Sequence, residues 1–180
     1  MSLVANKIFF TKGVGRDTTE LGAFEQALRS AGIEKFNLVK VSSIIPPNCK
    51  IVSKEEGLKY LSSGSIVFVV LSRIESNEPN RLITASVGAA IPKDKSKYGY
   101  LSEYEAYGEN SEISGRKAEE IAARMLITAL GMKFNQNLSF EKILNVTKKI
   151  AKTTNTTQAA VVGKDGRWTC AVAAAVFVFE

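Results

Sequence analysis

The sequence predicts one layered α/β domain, and three observations predict it. At least six strand-like segments rich in Val, Ile and Phe accompany two amphipathic helical stretches. No linker, composition break or internal repeat divides the 180 residues, a length that supports one sizeable core. The final segment, Trp168 to Phe179, is so rich in alanine and valine that it must be buried or packed closely on a neighbouring sheet.

Residues 3–10 read as the first strand, and Lys12-Gly13-Val14-Gly15-Arg16-Asp17 as a flexible turn. The two glycines resemble a nucleotide-binding loop only faintly, because a third glycine and a P-loop lysine are missing. Thr18 or Thr19 caps a helix that runs to Ala31, and Gly32 stops it. Leu21, Phe24 and Leu28 form its apolar stripe, with Glu25 at the border. Residues 36–41 are a strand that leads into Ser42-Ser43 and ends before Pro46-Pro47. Proline lacks a backbone N–H and holds the preceding residue in extended or turn conformations. Residues 53–64 read as a loop with room for a short helix.

Ile66 to Leu71 is a buried strand, Glu78-Pro79-Asn80 a turn, and Arg81 to Ile91 a strand closed by Pro92. Tyr98 to Tyr107 alternates apolar and acidic residues as a strand with one buried face. The longest helix is expected from Gly115 to Phe134, with Ser114 as N-cap and Lys117 where a capping-box acid would sit. Residues 139–152 fit either a helix, through Phe140, Ile143 and Leu144, or a strand, through Val146 and Ile150. Thr153 to Val162 reads as a strand, and Lys164-Asp165-Gly166-Arg167 as a hairpin turn into the last strand.

Composition narrows the chemistry. Hydrophobic residues make up 45% and charged residues 23%, a globular profile. No apolar run reaches the length of a membrane span, and the N-terminus lacks the pattern of a signal peptide. The net charge is +6, but the lysines are dispersed and do not interleave with aromatics, which argues for a solvated surface rather than nucleic acid. Cys49 and Cys170 form neither a disulfide framework nor a zinc pattern and read as reduced, structural thiols of a cytoplasmic protein. The chain has no histidine, which removes Ser-His-Asp and Cys-His catalysis and every histidine-containing metal site. An enzyme here must work with carboxylates, hydroxyls, amines, tyrosines, or an electrophile it makes or borrows.

Ser42-Ser43 offers a route to such an electrophile. A hydroxyl held rigidly at a strand end can attack the carbonyl of the peptide bond just before it. Ser43 would then cut the chain after Ser42. An ordinary strand ending in a serine-rich turn fits the same six residues, Ser42 to Pro47.

Four segments, in order, decide between these readings. Asn37-Leu38-Val39-Lys40-Val41-Ser42-Ser43-Ile44-Ile45-Pro46-Pro47 resembles the self-processing segment of pyruvoyl-dependent arginine decarboxylases. Ala23 to Leu28 is similar to their substrate-side helix. Ala90 to Ser96 followed by Glu103-Tyr104-Glu105 is similar to the strand and loop that supply their catalytic acid, and Trp168 to Phe177 to their closing strand. The resemblance spans residues 18 to 180. It implies a four-layer αββα sandwich, a trimer or paired trimers with sites at subunit contacts, and cleavage into chains 1–42 and 43–180.

The resemblance also implies the chemistry. Ser43 becomes a pyruvoyl group through an N→O acyl shift, β-elimination and hydrolysis. The amine of L-arginine condenses with the ketone as a Schiff base, CO2 leaves, and agmatine forms. The chain thus supplies its own electron sink, with neither pyridoxal phosphate nor a metal. Asn37 is implied as the donor to the oxyanion of self-cleavage. Even spacing puts Asn37 and Ser43 on one face of a regular strand, although a strand-end cap explains Asn37 equally. Glu103 is implied as the proton donor, whereas alternation alone places Glu103 and Glu105 on the same face. Glu25 is implied as the carboxylate that receives the substrate guanidinium. It stands where the family pattern has aspartate, one methylene shorter, and a plain surface role fits it too. Leu28, Ile44 and Leu101 are the expected apolar walls. The alternatives are a pyruvoyl-dependent decarboxylase of another amino acid such as histidine, or an uncleaved oligomeric scaffold.

Overall fold

The computed structural model describes residues 3–131, 140–141 and 149–180. Its elements are β1 (Lys7–Asp17), α1 (Glu20–Ala31), β2 (Asn37–Lys40), β3 (Ile44–Ile45), β4 (Lys50–Ile51), α2 (Lys54–Leu58), β5 (Ile66–Ser76), β6 (Leu82–Pro92), β7 (Gly99–Tyr107), α3 (Ser111–Ala129), β8 (Ile150–Val161) and β9 (Trp168–Val178). Five strands form one sheet in the order β2-β5-β9-β1-β4, and four form a second in the order β3-β7-β6-β8.

Side-chain parity stacks these sheets into four layers. Along β9, Ala171, Ala173, Ala175 and Phe177 face the second sheet and join Ile83, Ala85, Val87, Ala89 and Leu101 in the inter-sheet core. The alternate residues Cys170, Val172, Ala174, Val176 and Val178 face α1, against Ala23, Ala27 and Ala31. A strand covered on both faces reads as a continuous small apolar run, which is how β9 reads. On the far side α3 lays Ala122, Ala123, Leu126 and Ile127 on Ala90 and Ile150. The result is the expected αββα sandwich.

The structure corrects several local expectations. Gly13 and Gly15 are not a turn: β1 runs straight through them to Asp17. A Cβ on Gly13 would overlap the Ala27 carbonyl, and one on Gly15 would overlap backbone atoms of Ala23 and Ala27. The glycines let α1 lie directly on the sheet. Gly88 does the same for α3, whose Ala118 backbone occupies the space a Cβ would need. The long helix starts earlier than expected, with Asn110 as N-cap accepting from the Ile113 N–H at 2.9 Å. Asn has the short acceptor a cap requires, and Ser114 is buried inside the helix, donating to Glu109. That helix closes at Ala129, and the expected continuation over 132–134 lies outside the described residues. So does most of the ambiguous 139–152 stretch, of which Ile150 begins β8.

The turn at Lys164–Arg167 exists, with Gly166 at φ 75°, but it is not a hairpin. It carries the chain from β8 in one sheet to β9 in the other. The expected strand from Ile66 to Leu71 continues to Ser76, because Arg73 and Glu75 sit on the α1 face beside Phe24 and Cys170. The free edge of β8 is closed by side chains. Lys12 Nζ donates to Thr157 O at 3.0 Å, Gln158 Nε2 to Ala159 O at 2.9 Å and Arg16 Nη2 to Val161 O at 2.6 Å. Occupied carbonyls deny that edge to another strand.

Candidate active site

The Ser42-Ser43 peptide lies where the chain leaves one sheet for the other. β2 pairs in parallel with β5 from Asn37 to Lys40, and Val41 N–H makes the last ladder bond, to Val69 O at 2.9 Å. β3 then opens the edge of the second sheet, with Ile44 opposite Tyr100 and Ile45 opposite Gly99. Pro46 follows and ends the pairing, as expected for a residue without an N–H. Ser42 is exposed and Ser43 half-buried. Both carbonyls that flank Ser43 are hydrogen-bonded. Leu101 N–H donates to Ser43 O at 2.8 Å, and Ile44 N–H donates to Ser42 O at 3.1 Å. A cavity of about 340 Å³ opens beside this crossing, lined by Val41, Ser42, Ile44, Phe68, Phe177 and Phe179 among others.

Glu103 stands two residues along β7 from Leu101. Its carboxylate accepts from Leu71 N–H at 3.1 Å and faces Lys40 Nζ at 3.3 Å. Lys40 precedes the serine pair on β2, so Glu103 is tied both to the strand that leads to Ser43 and to the strand that β2 has just left. One residue on, Ser72 Oγ donates to Tyr104 O at 3.3 Å and accepts from Ser86 N–H at 3.1 Å. Leu71-Ser72 and Glu103-Tyr104 thereby stitch the sheets together at their open edge. Glu105 is exposed and makes no hydrogen bond or ion pair among the described residues.

The other site residues are not gathered here within one chain. Asn37 begins β2, where its side-chain amide donates to Gly64 O at 2.9 Å and its backbone N–H to Ser65 O. Extended backbone covers roughly 13 Å between Asn37 and Val41 alone. The strand does not continue in regular form to Ser43, so the one-face geometry expected from even spacing does not arise. Glu25 lies on α1, whose main packing partners are β1 and β9, and β2 lies beyond β9 and β5 at the sheet edge. Arg29 Nε holds both Glu25 oxygens, at 2.6 and 2.8 Å. Leu28 is half-buried beneath α1. Leu101 has its side chain fully buried between the sheets and only its N–H at Ser43. Ile44 is 38% exposed at the cavity.

Three contributors were not singled out from sequence: the N–H groups of Leu71 and Leu101, and the Lys40 ammonium. Backbone donors carry no residue signature. Lys40 had one available signal, its position three residues before Ser43 in the processing motif. The cysteines stay out of this chemistry. Burial pushes the Cys49 thiol up to about 11, and burial with the nearby Glu75 carboxylate pushes Cys170 up to about 12, so neither is a thiolate near neutral pH. Among the described residues no helix is long and apolar enough to cross a membrane.

A four-layer αββα sandwich with a serine pair at the crossing between its sheets is the architecture of a pyruvoyl-dependent decarboxylase. Comparison with known proteins gives the family. Residues 7–180 match the model of the pyruvoyl-dependent arginine decarboxylases. The chain is 52% identical over 181 residues to a probable pyruvoyl-dependent arginine decarboxylase of Chloroherpeton thalassium, covering 99% of this chain and 100% of the relative. It is 52% identical over 178 residues to a pyruvoyl-dependent arginine decarboxylase of Thermoplasma volcanium, covering 98% of each. A third relative, pyruvoyl-dependent arginine decarboxylase 2 of Methanosarcina acetivorans, is 46% identical over 179 residues, again covering 98% of each. The chain belongs to the pyruvoyl-dependent arginine decarboxylase family.

Proposed function

We propose that this chain cuts its own backbone between Ser42 and Ser43 and then converts L-arginine to agmatine and CO2 with a pyruvoyl group made from Ser43. Family membership supports the overall reaction. The observation that carries the residue-level reading is the Ser42-Ser43 peptide itself, placed at the crossing with a hydrogen bond on each flanking carbonyl. In this reading residues 1–180 form one domain that matures into a small chain, 1–42, and a large chain, 43–180.

The residues at 43 and 101 fit such a group. The Ser43 carbonyl becomes the amide carbonyl that adjoins the ketone, and Leu101 N–H already lies on its oxygen at 2.8 Å. The pyruvoyl group supplies the sink for the electrons left when CO2 departs. Leu101 N–H stabilises the negative charge that reaches the Ser43 oxygen, as a fixed backbone donor does in an oxyanion hole. Glu103 delivers the proton to the substrate α-carbon, steadied by Leu71 N–H and Lys40. Glu25, whose two oxygens now share the Arg29 Nε–H, receives the substrate guanidinium in a bidentate pairing. Ile44 and Leu28 supply apolar walls, while Leu101, whose side chain is buried between the sheets, serves through its backbone N–H alone. Because the chain makes its own electrophile, the reaction needs neither pyridoxal phosphate nor a metal ion.

Asn37 and Glu25 act on the Ser43 of a neighbouring copy in a trimer, or in paired trimers. The span between Asn37 and the scissile bond of its own chain supports this. So does the place of Glu25 on an outer helix. The protein works in the cytoplasm.

Intact mass under denaturing conditions tests the reading first. Two fragments are expected in place of 19.6 kDa, with the larger one blocked to Edman degradation. Arginine is expected to yield agmatine, while histidine and lysine yield no comparable amine. Ser43→Ala is expected to stay whole and still assemble. A wild-type chain that remains a single species after prolonged incubation sinks the enzyme and leaves the scaffold.

A further inference from the structure

The Ser42 carbonyl is not open to solvent on all sides. Its oxygen accepts the Ile44 N–H at 3.1 Å, closing a three-residue turn with Ser43 at the centre. The register of β3 explains why that N–H is available. Ile44 stands opposite Tyr100, and Leu101 N–H reaches back to Ser43 O. In an antiparallel ladder this pattern makes Ile44–Tyr100 a non-hydrogen-bonded pair, so the Ile44 N–H points away from β7. The same ladder that grips Ser43 O therefore aims the next N–H at the carbonyl to be broken.

We propose that the Ile44 backbone N–H is the in-chain donor that stabilises the oxyanion formed at Ser42 during self-cleavage. The proposal rests on the reading that Ser43 is the nucleophile. Ser43 Oγ adds to the Ser42 carbonyl carbon, and the new C–O bond puts negative charge on the Ser42 oxygen. The Ser42 C–N bond then breaks, and the hydroxyl proton ends on the Ser43 nitrogen. No outside reactant is needed for this shift. The donor is in place before the attack, so no reorganisation is required when charge develops, and one such donor accelerates acyl transfer by roughly 100- to 1,000-fold. The Asn37 amide is bound to Gly64 O at the far end of β2 and does not supply this contact within the chain.

The test compares the processing rates of Ile44→Pro and the wild type by intact mass. Proline removes the N–H and leaves the ladder bonds, since the Ile44 N–H is not one of them; edge strands tolerate it. Ile44→Pro is expected to cut about 100-fold slower or worse, and added hydroxylamine, which cleaves an ester at 42–43, is expected not to cut it. Wild-type cutting by Ile44→Pro overturns the proposal, as does a slow variant that hydroxylamine readily cleaves, because the acyl shift would then be intact. Amide hydrogen exchange in Ser43→Ala checks the bond without any proline: the Ile44 N–H is expected to be protected, and exchange at the rate of a free amide overturns the proposal. A wild-type chain that never cuts removes both this inference and the nucleophile beneath it. A wild-type chain that cuts while Ile44→Pro cuts equally fast removes this inference alone.

Discussion

Leu71 donates its backbone N–H to the Glu103 carboxylate at 3.1 Å, across the gap between the two sheets. In a parallel ladder that N–H would have paired with Val41 O, the next acceptor after the Val41–Val69 bond. β2 has already turned away toward Ser43, so the donor is left at an open edge. An unpaired N–H there is costly, and the Glu103 carboxylate satisfies it. The turn through Ser43 thus leaves the Leu71 N–H to the Glu103 carboxylate.

Glu103→Gln is therefore expected to separate the two chemistries. Cleavage at Ser42–Ser43 proceeds, because the amide still accepts from Leu71, while CO2 release from arginine falls by about 100- to 10,000-fold through loss of the proton donor. Glu105→Gln, on the same strand face with no partner among the described residues, is expected to retain turnover. Fragment mass and CO2 release on the same samples check both, and equal losses in the two variants would count against Glu103.

Glu25→Gln is expected to raise KM for arginine by about 10- to 100-fold, the equivalent of losing a charged hydrogen bond of roughly 1.5–3 kcal/mol. Processing should be unaffected. Arg29→Met frees the Glu25 carboxylate from its present partner and is expected to leave KM unchanged or lower it. Steady-state kinetics on the mature enzyme decide; an unchanged KM in Glu25→Gln would assign Glu25 to the surface.

Gly15→Ala and Gly88→Ala are expected to destabilise the fold by about 1–3 kcal/mol or more, the usual cost of overpacking. The added methyl meets helix backbone in both cases rather than a side chain that can swing aside. Thermal melting of the Ser43→Ala background, where no cleavage complicates the transition, measures it.

Glu109 and Lys117 give the α3 layer a pH dependence. Lys117 Nζ lies 2.5 Å from Glu109 Oε1 and 3.2 Å from Tyr104 Oη. The Lys117 hydrogen bond holds the Glu109 carboxyl below its ordinary 4.5, and Glu109 raises Lys117 above 10.5. A lowered carboxyl contributes stability that is present above 4.5 and is lost as pH falls through its lowered folded value. A raised ammonium contributes stability that is present below 10.5 and is lost as pH climbs through its raised folded value. Lys117→Met is expected to lower Tm modestly at neutral pH and to converge with the parent in acid. A Tm gap that persists unchanged in acid would assign the loss to packing.

Much was legible in the residues. Thr19 and Gly32 bound α1 as read, because caps act over three or four residues. The prolines after Ile45 end β3, although β2 had already stopped at Lys40; the run of alanine and valine marks β9 as central, and four motifs in order carry the family. What the sequence could not separate were alternatives that differ only in distant contacts. Gly13 and Gly15 look like a turn until the helix carrying Ala23, Ala27 and Ala31 is laid on them. Ser114 reads as the cap until the structure starts the helix earlier, at Asn110. The turn after β8 looks like a hairpin until the two strands are seen in different sheets.

The sequence by itself determined a layered α/β fold, through periodicity, and the family, through local motifs that also single out the serine pair proposed for processing, since such signals act over short stretches of chain. Only the tertiary structure decided that Glu103 rather than Glu105 meets Leu71 and Lys40, that Asn37 stands far from its own scissile bond, and that three backbone N–H groups are aimed at Ser42, Ser43 and Glu103. Every residue but proline carries the same N–H, so its direction is written in strand register and sheet crossing, not in the identity of the residue that bears it.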